Sequence, residues 1–440
     1  MYVVERFAEF AVSHRKQPLK GEVLHHAKRA VIDWYAAAFP GAVVPPATLL
    51  EKSFSSELGK GTSRLLLGKK APARTAALIN GTAAHAAEFD DIFRDGIYHP
   101  GAPTIAAALA LAQSLSLDGM SFLKGVVAGY EISTRIGAAM GRAHYKYWHN
   151  TGTIGCFGAA AACSEILNLK KHNFAHALAT VATFSAGLQQ AFRMDSMSKP
   201  LHAGRAAEAG LTAALAARDG VTGSLDILEG EAGYGKAMGD SPDWERALAT
   251  LGKDFHITRM TFKNHGCCGH TFAAIDGALE LKKKMNFSIP DIEKISVGTY
   301  KAALDVAGYE EPRTPAEARF SLKYVVATAL TEGSVRLAAF EKKGLSKSTT
   351  RELMKKISVT VDPELDAAFP GQRAARVAIT AGGRREEFLQ PTRKGDPEMP
   401  LSDRELEAKF LELAGPVAGK APAKKLLERL WRLETEKRLP

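Results

Sequence analysis

Cysteine and long hydrophobic runs are both scarce in this sequence. Only 4 of the 440 residues are cysteine, and they fall into two groups, Cys156 with Cys163 and Cys267 with Cys268. This number and spacing do not make a disulfide framework, and they fit a protein of a reducing compartment. Because no run of about 18 apolar residues occurs, we expect no transmembrane helix.

A targeting segment and a concentrated charge are also missing. The segment from Met1 to Lys16 carries Glu5 and Glu9 and lacks the apolar core of a secretory signal. Together with the cysteine content, it predicts a cytoplasmic protein. The net charge of +10 is spread along the chain, without a basic arm or a basic-aromatic stripe. We therefore expect no nucleic-acid partner and no membrane partner, whereas the positive excess suits a small acidic substrate.

The common nucleotide and hydrolase motifs are absent as well. The sequence has no GxxxxGK[ST] phosphate loop, no HExxH and no GxSxG. Gly152, Gly155 and Gly158 differ in spacing from a dinucleotide fingerprint, and no predicted strand precedes them. The sequence therefore predicts no nucleotide cofactor.

A metal site has equally little support. One candidate zinc set lies at the predicted domain boundary and consists of His265, Cys267, Cys268 and His270. Adjacent cysteines rarely both bind one tetrahedral zinc ion, and no distant pair completes the set. Asp90 and Asp91 are candidate magnesium ligands, but no phosphate-binding motif accompanies them. We predict no metal and no other cofactor.

Alanine and glycine are plentiful, and they lie in segments of helical periodicity. Helices are predicted at about 2–14, 22–38, 46–58, 72–86, 102–116, 120–141, 154–167, 171–191, 203–218 and 242–251. Apart from a short extended piece at 64–67, no convincing strand interrupts them. We expect Pro40 and Gly41 to end the second helix. The sequence thus predicts a mainly α protein whose large all-helical domain covers 1–264.

The pattern changes after Lys263. Alternating β-branched residues predict strands at 292–300, 356–362 and 375–389, with helices at 269–285, 315–332 and 346–355. Gly382 and Gly383 predict a hairpin turn within the last of these segments. These elements make a smaller α+β lid domain over 265–399. Helices at 402–414 and 421–435 are expected to return, so that 400–440 packs on the first domain.

One polar stretch separates two alanine-rich helices. It contains Glu88, Asp90, Asp91, Arg94, Asp95, Tyr98 and His99. His99 precedes Pro-Gly at the start of a predicted helix, where exposed backbone N–H groups favour anions. His149 and Lys199 precede two later helix starts, so the three ends could converge on one bound polycarboxylate. Ordinary helix starts and an ordinary acidic loop are the alternative explanation.

Six segments of the chain resemble the MmgE/PrpD family, in the family's order. They are NGTAAHAAEFDD at 80–91, HPG at 99–101, HNTGTIGCFGAAAA at 149–162, MSKPLHAGRAAEAG at 197–210, KNHGCC at 263–268 and RFSLKYVVATALTEG at 319–333. Members of that family include 2-methylcitrate dehydratase, cis-aconitate decarboxylase and iminodisuccinate epimerase. The resemblance implies a cofactor-free enzyme with a large helical domain and a smaller α+β lid, usually a homodimer. It also implies an active site between the two domains.

The resemblance assigns individual residues as well. The family's catalytic histidines fall on His99 and His149, its lysines on Lys199 and Lys263, its first D-F-D-D acid on Glu88 and its lid tyrosine on Tyr309. This chain has Ile92 where threonine is usual, His265-Gly266 where a proline turn is usual, and glutamate where the decarboxylase has aspartate. These departures leave the expected fold unchanged, but they bear on which carboxylic acid is the substrate.

These residue types predict proton abstraction next to a carboxylate of a small di- or tricarboxylate. Lys199 and Lys263 would hold the carboxylate as charge develops. His99 and His149 would act as the acid/base pair, with Glu88 or Asp91 orienting an imidazole. His202, His265 and Tyr309 are assigned to substrate binding. For Lys263 the alternative explanation is a solvent-facing lysine in a linker.

The predicted reaction is that of a 2-methylcitrate dehydratase-like lyase. An epimerase such as iminodisuccinate epimerase and a decarboxylase of the cis-aconitate type are alternatives, because dehydration, decarboxylation and epimerisation share the carbanion-like step. Two other classes stay open: a non-catalytic carboxylate-binding homodimer, and a metal-dependent hydrolase that uses the acids and histidines.

Overall fold

The computed structural model describes residues 1–19, 21–194 and 196–440. These residues form two compact units, Met1–Phe262 with Ser402–Pro440, and Lys263–Leu401. We call them unit 1 and unit 2. Helices predominate, and the predicted mainly α class is confirmed. Within the described ranges, none of the helices combines the length and the apolar character that crossing a membrane requires.

Unit 1 begins with a series of helices. They are α1 (Val3–Arg15), α2 (Gly21–Ala42), α3 (Ala47–Ser53), α4 (Ala73–Ala86), α5 (Gly101–Ser114), α6 (Gly119–Tyr145), α7 (Asn150–Thr153), α8 (Gly155–Ile166), α9 (Lys171–Ala182), α10 (Ser198–Arg218), α11 (Tyr234–Met238) and α12 (Trp244–Ala249). Two short antiparallel strands, β1 (Ser63–Arg64) and β2 (Lys70–Ala71), lie between α3 and α4. The core of these helices is rich in alanine, which keeps their axes close together.

Glycine brings α4 and α10 together at one crossing. A Cβ at Gly204 would overlap the carbonyl oxygen of Leu78 and the hydroxyl of Thr82, and a Cβ at Gly81 would lie 3.0 Å from the Cα of Gly204. Only glycine permits so close an approach of two backbones. The crossing places the C-terminal end of α4 near the N-terminal end of α10.

Several predicted helix boundaries are wrong, and three of them lie in unit 1 near the proline and glycine positions used to predict helix ends. Pro40 lies inside α2, which continues to Ala42, because a proline in the last turn removes one hydrogen bond without ending the helix before it. The helix predicted at 171–191 ends at Ala182, and Gly187, with φ of 136°, lies in the irregular chain beyond it. In contrast, α10 begins at Ser198 instead of 203, since Pro200 is well tolerated in a first turn.

Unit 2 is built on a four-stranded sheet with the order β4-β3-β5-β6. Its elements are α13 (Phe272–Met285), β3 (Ile292–Thr299), α14 (Lys301–Ala307), α15 (Pro315–Arg319), α16 (Leu322–Glu332), α17 (Lys342–Leu345), α18 (Ser348–Met354), β4 (Ile357–Val361), α19 (Pro363–Ala368), β5 (Ala375–Ala381) and β6 (Arg384–Gln390). β3 pairs with β4 in parallel and with β5 antiparallel. The hairpin between β5 and β6 turns at Gly382 and Gly383, both with positive φ, as predicted.

The chain then returns to unit 1 as α20 (Asp403–Ala418) and α21 (Lys420–Trp431). α20 packs against α2 through a buried ion pair, in which Lys409 Nζ lies 2.6 Å from Oδ1 of Asp33. The same ammonium donates to the backbone oxygen of Phe89 at 2.8 Å. The last helices therefore hold both α2 and the loop that follows α4.

Candidate active site

The first part of the site is the end of α4 and the loop after it. His85 lies in the last turn of α4, and Glu88 has a left-handed backbone with φ of 60°, which turns the chain sharply. Asp90 follows, and its Oδ2 lies 2.6 Å from Nδ1 of His85 and 3.3 Å from Nδ1 of His99. His85 and Asp90 are buried, while the His99 side chain is 16% exposed. One buried carboxylate therefore faces two imidazoles, of which only His99 reaches solvent.

Asp91 fixes the start of α5. Its Oδ1 accepts a hydrogen bond from the backbone N–H of Gly101 at 3.0 Å, and its Oδ2 accepts one from the Tyr130 hydroxyl at 2.7 Å. Burial is the main cause that raises the pKa of Asp91 to about 8, and the carboxylate of Asp33 adds to it. A Cβ at Gly101 would lie 2.6 Å from the Tyr130 oxygen, so the turn after His99 requires glycine.

The second part of the site is a pair of histidines from α7 and α10. Nδ1 of His149 lies 2.9 Å from Nδ1 of His202, so one ring donates and the other accepts. Burial lowers the pKa of His149 well below its usual value, and burial is also the main cause that lowers the pKa of His202 to about 4. The charge of Lys199 acts in the same direction on both rings. Both imidazoles are therefore neutral near pH 7.

Lys199 supplies the positive charge. It lies in the first turn of α10 and forms an ion pair with Glu88, with both side chains 13% exposed. Its ammonium also lies 5.2 Å from the centre of the Phe192 ring, and Phe192 meets the His149 ring edge-on with centres 4.9 Å apart. The aromatic ring and the acid together hold this lysine near the histidine pair.

The rings join the two parts into one cluster. The centre of the His85 ring lies 4.8 Å from that of His99 and 5.3 Å from that of His149, and His149 lies 5.1 Å from His202. Four imidazoles, one lysine and two carboxylates are thus in mutual contact at the starts of α5, α7 and α10. This cluster can move protons and can receive an anionic group.

Family models match nearly the whole chain. The MmgE/PrpD N-terminal domain matches residues 5–247, and the MmgE/PrpD C-terminal domain matches residues 265–434. The chain belongs to the MmgE/PrpD family. The second match runs through unit 2 and into the last two helices of unit 1.

Similar proteins match this chain over nearly its whole length. Human cis-aconitate decarboxylase is 27% identical, over 93% of this chain and 87% of the human protein. Mouse cis-aconitate decarboxylase is 26% identical, over 98% of this chain and 91% of its own length. A cis-aconitate decarboxylase-like protein of Aspergillus oryzae is 26% identical, over 98% of this chain and 95% of its own length.

Within unit 1 of this MmgE/PrpD chain, the structure brings together most of the residues singled out from the sequence. Glu88, His99, His149, Lys199 and His202 all lie in the cluster. Asp91 does not share it, because its carboxylate is turned toward the start of α5. That Glu88 or Asp91 orients an imidazole stays a prediction; the structure shows that Glu88 pairs with Lys199 and that the adjacent Asp90 faces two imidazoles.

Three members of the cluster were not among the residues predicted from the sequence. His85 is hidden in an alanine-rich helix that carries no periodic polar signal. Asp90 belongs to the polar stretch between α4 and α5, but the sequence alone does not show which of its neighbouring acids faces the histidines. Phe192 lies where a longer helix was predicted, so its contact with His149 depends on the irregular chain after α9.

The remaining predicted residues belong to unit 2. Lys263 is 2% exposed, which excludes the solvent-facing alternative. His265 is also buried, and its Nε2 lies 2.9 Å from Oδ1 of Asp276, whose other oxygen accepts the backbone N–H of Lys394. The assignment of His265 to substrate binding stays a prediction. Tyr309 is 51% exposed, and its backbone pairs with the segment before α16.

His85, Asp90 and His99 also have the composition of a metal site. Their ligand atoms lie within 4.8 Å of one another. However, Nδ1 of His85 lies 2.6 Å from the Asp90 oxygen in hydrogen-bond geometry, whereas Nδ1 of His99 lies 3.3 Å from the same oxygen as an ion-pair contact. In the zinc set considered from the sequence, burial is the main cause that raises the pKa of the Cys267 thiol to about 12.

Proposed function

We propose that this chain is a lyase-type enzyme that moves the proton next to a carboxylate of a small di- or tricarboxylate. The observation that carries the proposal is the juxtaposition of His99 before α5, Lys199 in the first turn of α10, and Glu88 and Asp90 in the loop after α4. A base, a buried counter-ion for that base and a cation for the carboxylate are the groups that the reaction needs.

His99 is the proposed base. Its Nδ1 faces Asp90, which leaves Nε2 to take the proton from the substrate carbon. The electrons of the broken C–H bond then move toward the neighbouring carboxylate, and the proton on His99 makes an imidazolium beside the Asp90 carboxylate. That pair of opposite charges forms only as the reaction proceeds, so it lowers the barrier rather than merely tightening substrate binding.

Lys199 is the proposed carboxylate clamp. In the described cluster it already pairs with Glu88, so a substrate carboxylate would share or take over that ammonium. The N–H groups at the start of α10 favour the same negative charge. The growing charge on the substrate carboxylate therefore meets donors that are already in place.

His149 is proposed to pass a proton rather than to hold a charge. Its pKa lies well below the usual value, and Nδ1 is shared with His202. A neutral ring in contact with a second neutral ring can accept a proton on one nitrogen and release it from the other. This supports His149 as the partner of His99 in the acid/base pair, and it makes His202 a partner of His149 in addition to a candidate substrate ligand.

Decarboxylation of cis-aconitate is the first reaction to test, because the human and mouse relatives bear that name. In that reaction the C–C bond to one carboxylate breaks, CO₂ leaves, and the protonated member of the acid/base pair gives its proton to the carbon. Dehydration of the 2-methylcitrate type and epimerisation of the iminodisuccinate type use the same proton-transfer groups and are the alternatives. Lys263 as a second clamp, and His265 and Tyr309 as substrate contacts, remain proposals from the family resemblance. A cytoplasmic homodimer is the proposed state of the protein.

A proton-exchange experiment tests the shared step. The protein is incubated in D₂O with cis-aconitate, citrate, 2-methylcitrate and iminodisuccinate in parallel, and the C–H signals are followed by NMR. We expect at least one acid to gain carbon-bound deuterium, either in the product or in recovered substrate. A carboxylate-binding protein without catalysis would shift the ligand signals without any exchange, and that result would reject the enzyme proposal.

A further inference from the structure

We infer that His85 and Asp90 are a positioning pair that sets which nitrogen of His99 is offered to the substrate. This inference rests on the proposed function, because it assigns roles around the proposed base. Neither residue is required to touch the substrate. His85 holds Asp90, and Asp90 holds His99.

The contacts of Asp90 bear on which ring nitrogens of His85 and His99 carry hydrogen. A carboxylate accepts hydrogen bonds but donates none, and Oδ2 of Asp90 is approached by Nδ1 of both His85 and His99. The Nδ1 of His85 therefore carries a hydrogen and donates it to Asp90. The 3.3 Å contact of His99 is outside hydrogen-bond geometry, but it favours a hydrogen on Nδ1, because a lone pair there would face the carboxylate oxygen. In the neutral rings the lone pair is then on Nε2, so His99 presents an acceptor nitrogen on the side away from Asp90. The opposite tautomer would present an N–H there and could not take a proton.

His85, and not His99, fixes Asp90. The His85 contact is the shorter one, 2.6 Å against 3.3 Å, and the His85 side chain is completely buried. His85 also lies one turn after Gly81, where the backbones of α4 and α10 are locked in contact. A buried carboxylate without such a donor would lose both its position and its tendency to stay ionised.

Other titratable groups surround the pair. His149 and His202 approach from α7 and α10, Lys199 from α10, and Glu88 from the loop. Behind Asp90 lie Asp91 and the Asp33–Lys409 pair, and Asp90 contributes to the raised pKa values of both aspartates. Each of these groups has a hydrogen-bonded partner of its own. Asp90 is the carboxylate on which the Nδ1 atoms of His85 and His99 converge.

Two substitutions at one position separate hydrogen bonding from packing. In His85→Asn, the side-chain amide nitrogen occupies nearly the place of Nδ1 and can still donate to Asp90. In His85→Leu, a similar volume is kept but the donor is lost. We expect His85→Leu to lower kcat by about 10- to 100-fold with KM changed less than about threefold. We expect His85→Asn to stay within about fivefold of the wild-type kcat.

The pH profile provides a readout that a purely structural role would not move. If the negative charge of Asp90 is misplaced in His85→Leu, imidazolium formation on His99 is less favoured. The acid limb of kcat/KM, where activity rises with pH as the base loses its proton, should then move to lower pH. His85→Asn should keep the limb in place.

A second measurement needs no turnover. Nitrogen-15 labelling of the 13 histidines, with the His99 signals identified by their loss in His99→Gln, reports which ring nitrogen carries the hydrogen. We expect the Nδ1–H form in the wild type and in His85→Asn, and a mixture in His85→Leu. This result can hold even if every tested acid fails to react, so failure of the proposed function is distinguishable from failure of the positioning pair.

Three outcomes would overturn the inference. One is a folded His85→Leu protein with the wild-type rate and the wild-type tautomer. Another is equal impairment of His85→Asn and His85→Leu, which would point to ring shape. The last is a His85→Leu protein whose melting temperature falls while its folded fraction keeps the wild-type kcat.

Discussion

Lys409→Met removes the positive end of the ion pair that joins α20 to α2. Lys409 and Asp33 are each 1% exposed, and the ammonium bonds both Asp33 and the backbone oxygen of Phe89. Methionine has a similar length but no donor. The variant therefore leaves a buried carboxylate and a buried carbonyl oxygen without their cation, and the affected loop carries Glu88 and Asp90.

Breaking one partner of such a buried pair typically costs about 3–5 kcal/mol of unfolding free energy. The direction of the pH dependence follows from Asp33. The pKa of Asp33 is raised from 3.8 to about 6, mainly by burial, even though Lys409 beside it lowers the pKa. As pH rises through this window the unfolded state gives up the proton first, so stability falls. Without Lys409 the pKa of Asp33 rises further. The unfolding free energy of the variant therefore keeps falling to higher pH, by up to about 1.4 kcal/mol per pH unit.

Urea unfolding followed by tryptophan fluorescence measures this effect. All 4 tryptophans lie in unit 1, and Trp34 adjoins Asp33, so the signal reports the unit that contains the pair. We expect the loss in Lys409→Met to be larger at pH 8 than at pH 5, and the double variant Asp33→Asn/Lys409→Met to recover part of it. Lys425→Met, at an exposed position of α21, should change the unfolding free energy by less than about 0.5 kcal/mol. A Lys409→Met protein as stable as this control at pH 8 would refute the reasoning.

Activity should survive extensive dialysis against EDTA, because the hydrogen bond from His85 to Asp90 and the charge contact of His99 with Asp90 place this group without an ion. Complete loss of turnover that one added metal restores would contradict this. Lys199→Met should raise KM by about tenfold or more and also lower kcat, since the ammonium meets a charge that grows in the transition state. An unchanged KM for the carboxylate substrate would remove Lys199 as a clamp. Light scattering at micromolar concentration should give twice the chain mass, and a monomer at all accessible concentrations would argue against the proposed homodimer.

Much of the fold was predictable because it depends on local patterns. Helical periodicity located α4, α5 and α10 in the alanine-rich region, and β-branched alternation with Gly382-Gly383 located the β5–β6 hairpin. The errors fall where local signals conflict with tertiary context. Pro40 is tolerated within α2, and α9 ends well before the predicted boundary.

The candidate site was partly predictable for a similar reason. A histidine or lysine before a proline-marked or threonine-marked helix start is a local signal, and it identified His99, His149 and Lys199. The choice among Glu88, Asp90 and Asp91 depends on the left-handed residue that turns the loop, and sequence spacing does not contain that information. His85 required knowledge of the α4–α10 crossing, which no short segment encodes.

The central claim is that His99 moves the substrate proton, and His99→Gln in D₂O tests it most directly. Glutamine keeps a polar side chain of similar reach but cannot act as a base. The account predicts an unchanged melting temperature, retained binding of the carboxylate, and a fall of about 10²–10⁴-fold in both turnover and deuterium incorporation. His172→Gln, at an exposed position of α9, is the matched control and should behave as the wild type. A His99→Gln protein that melts several degrees lower but incorporates deuterium at the wild-type rate would contradict the account.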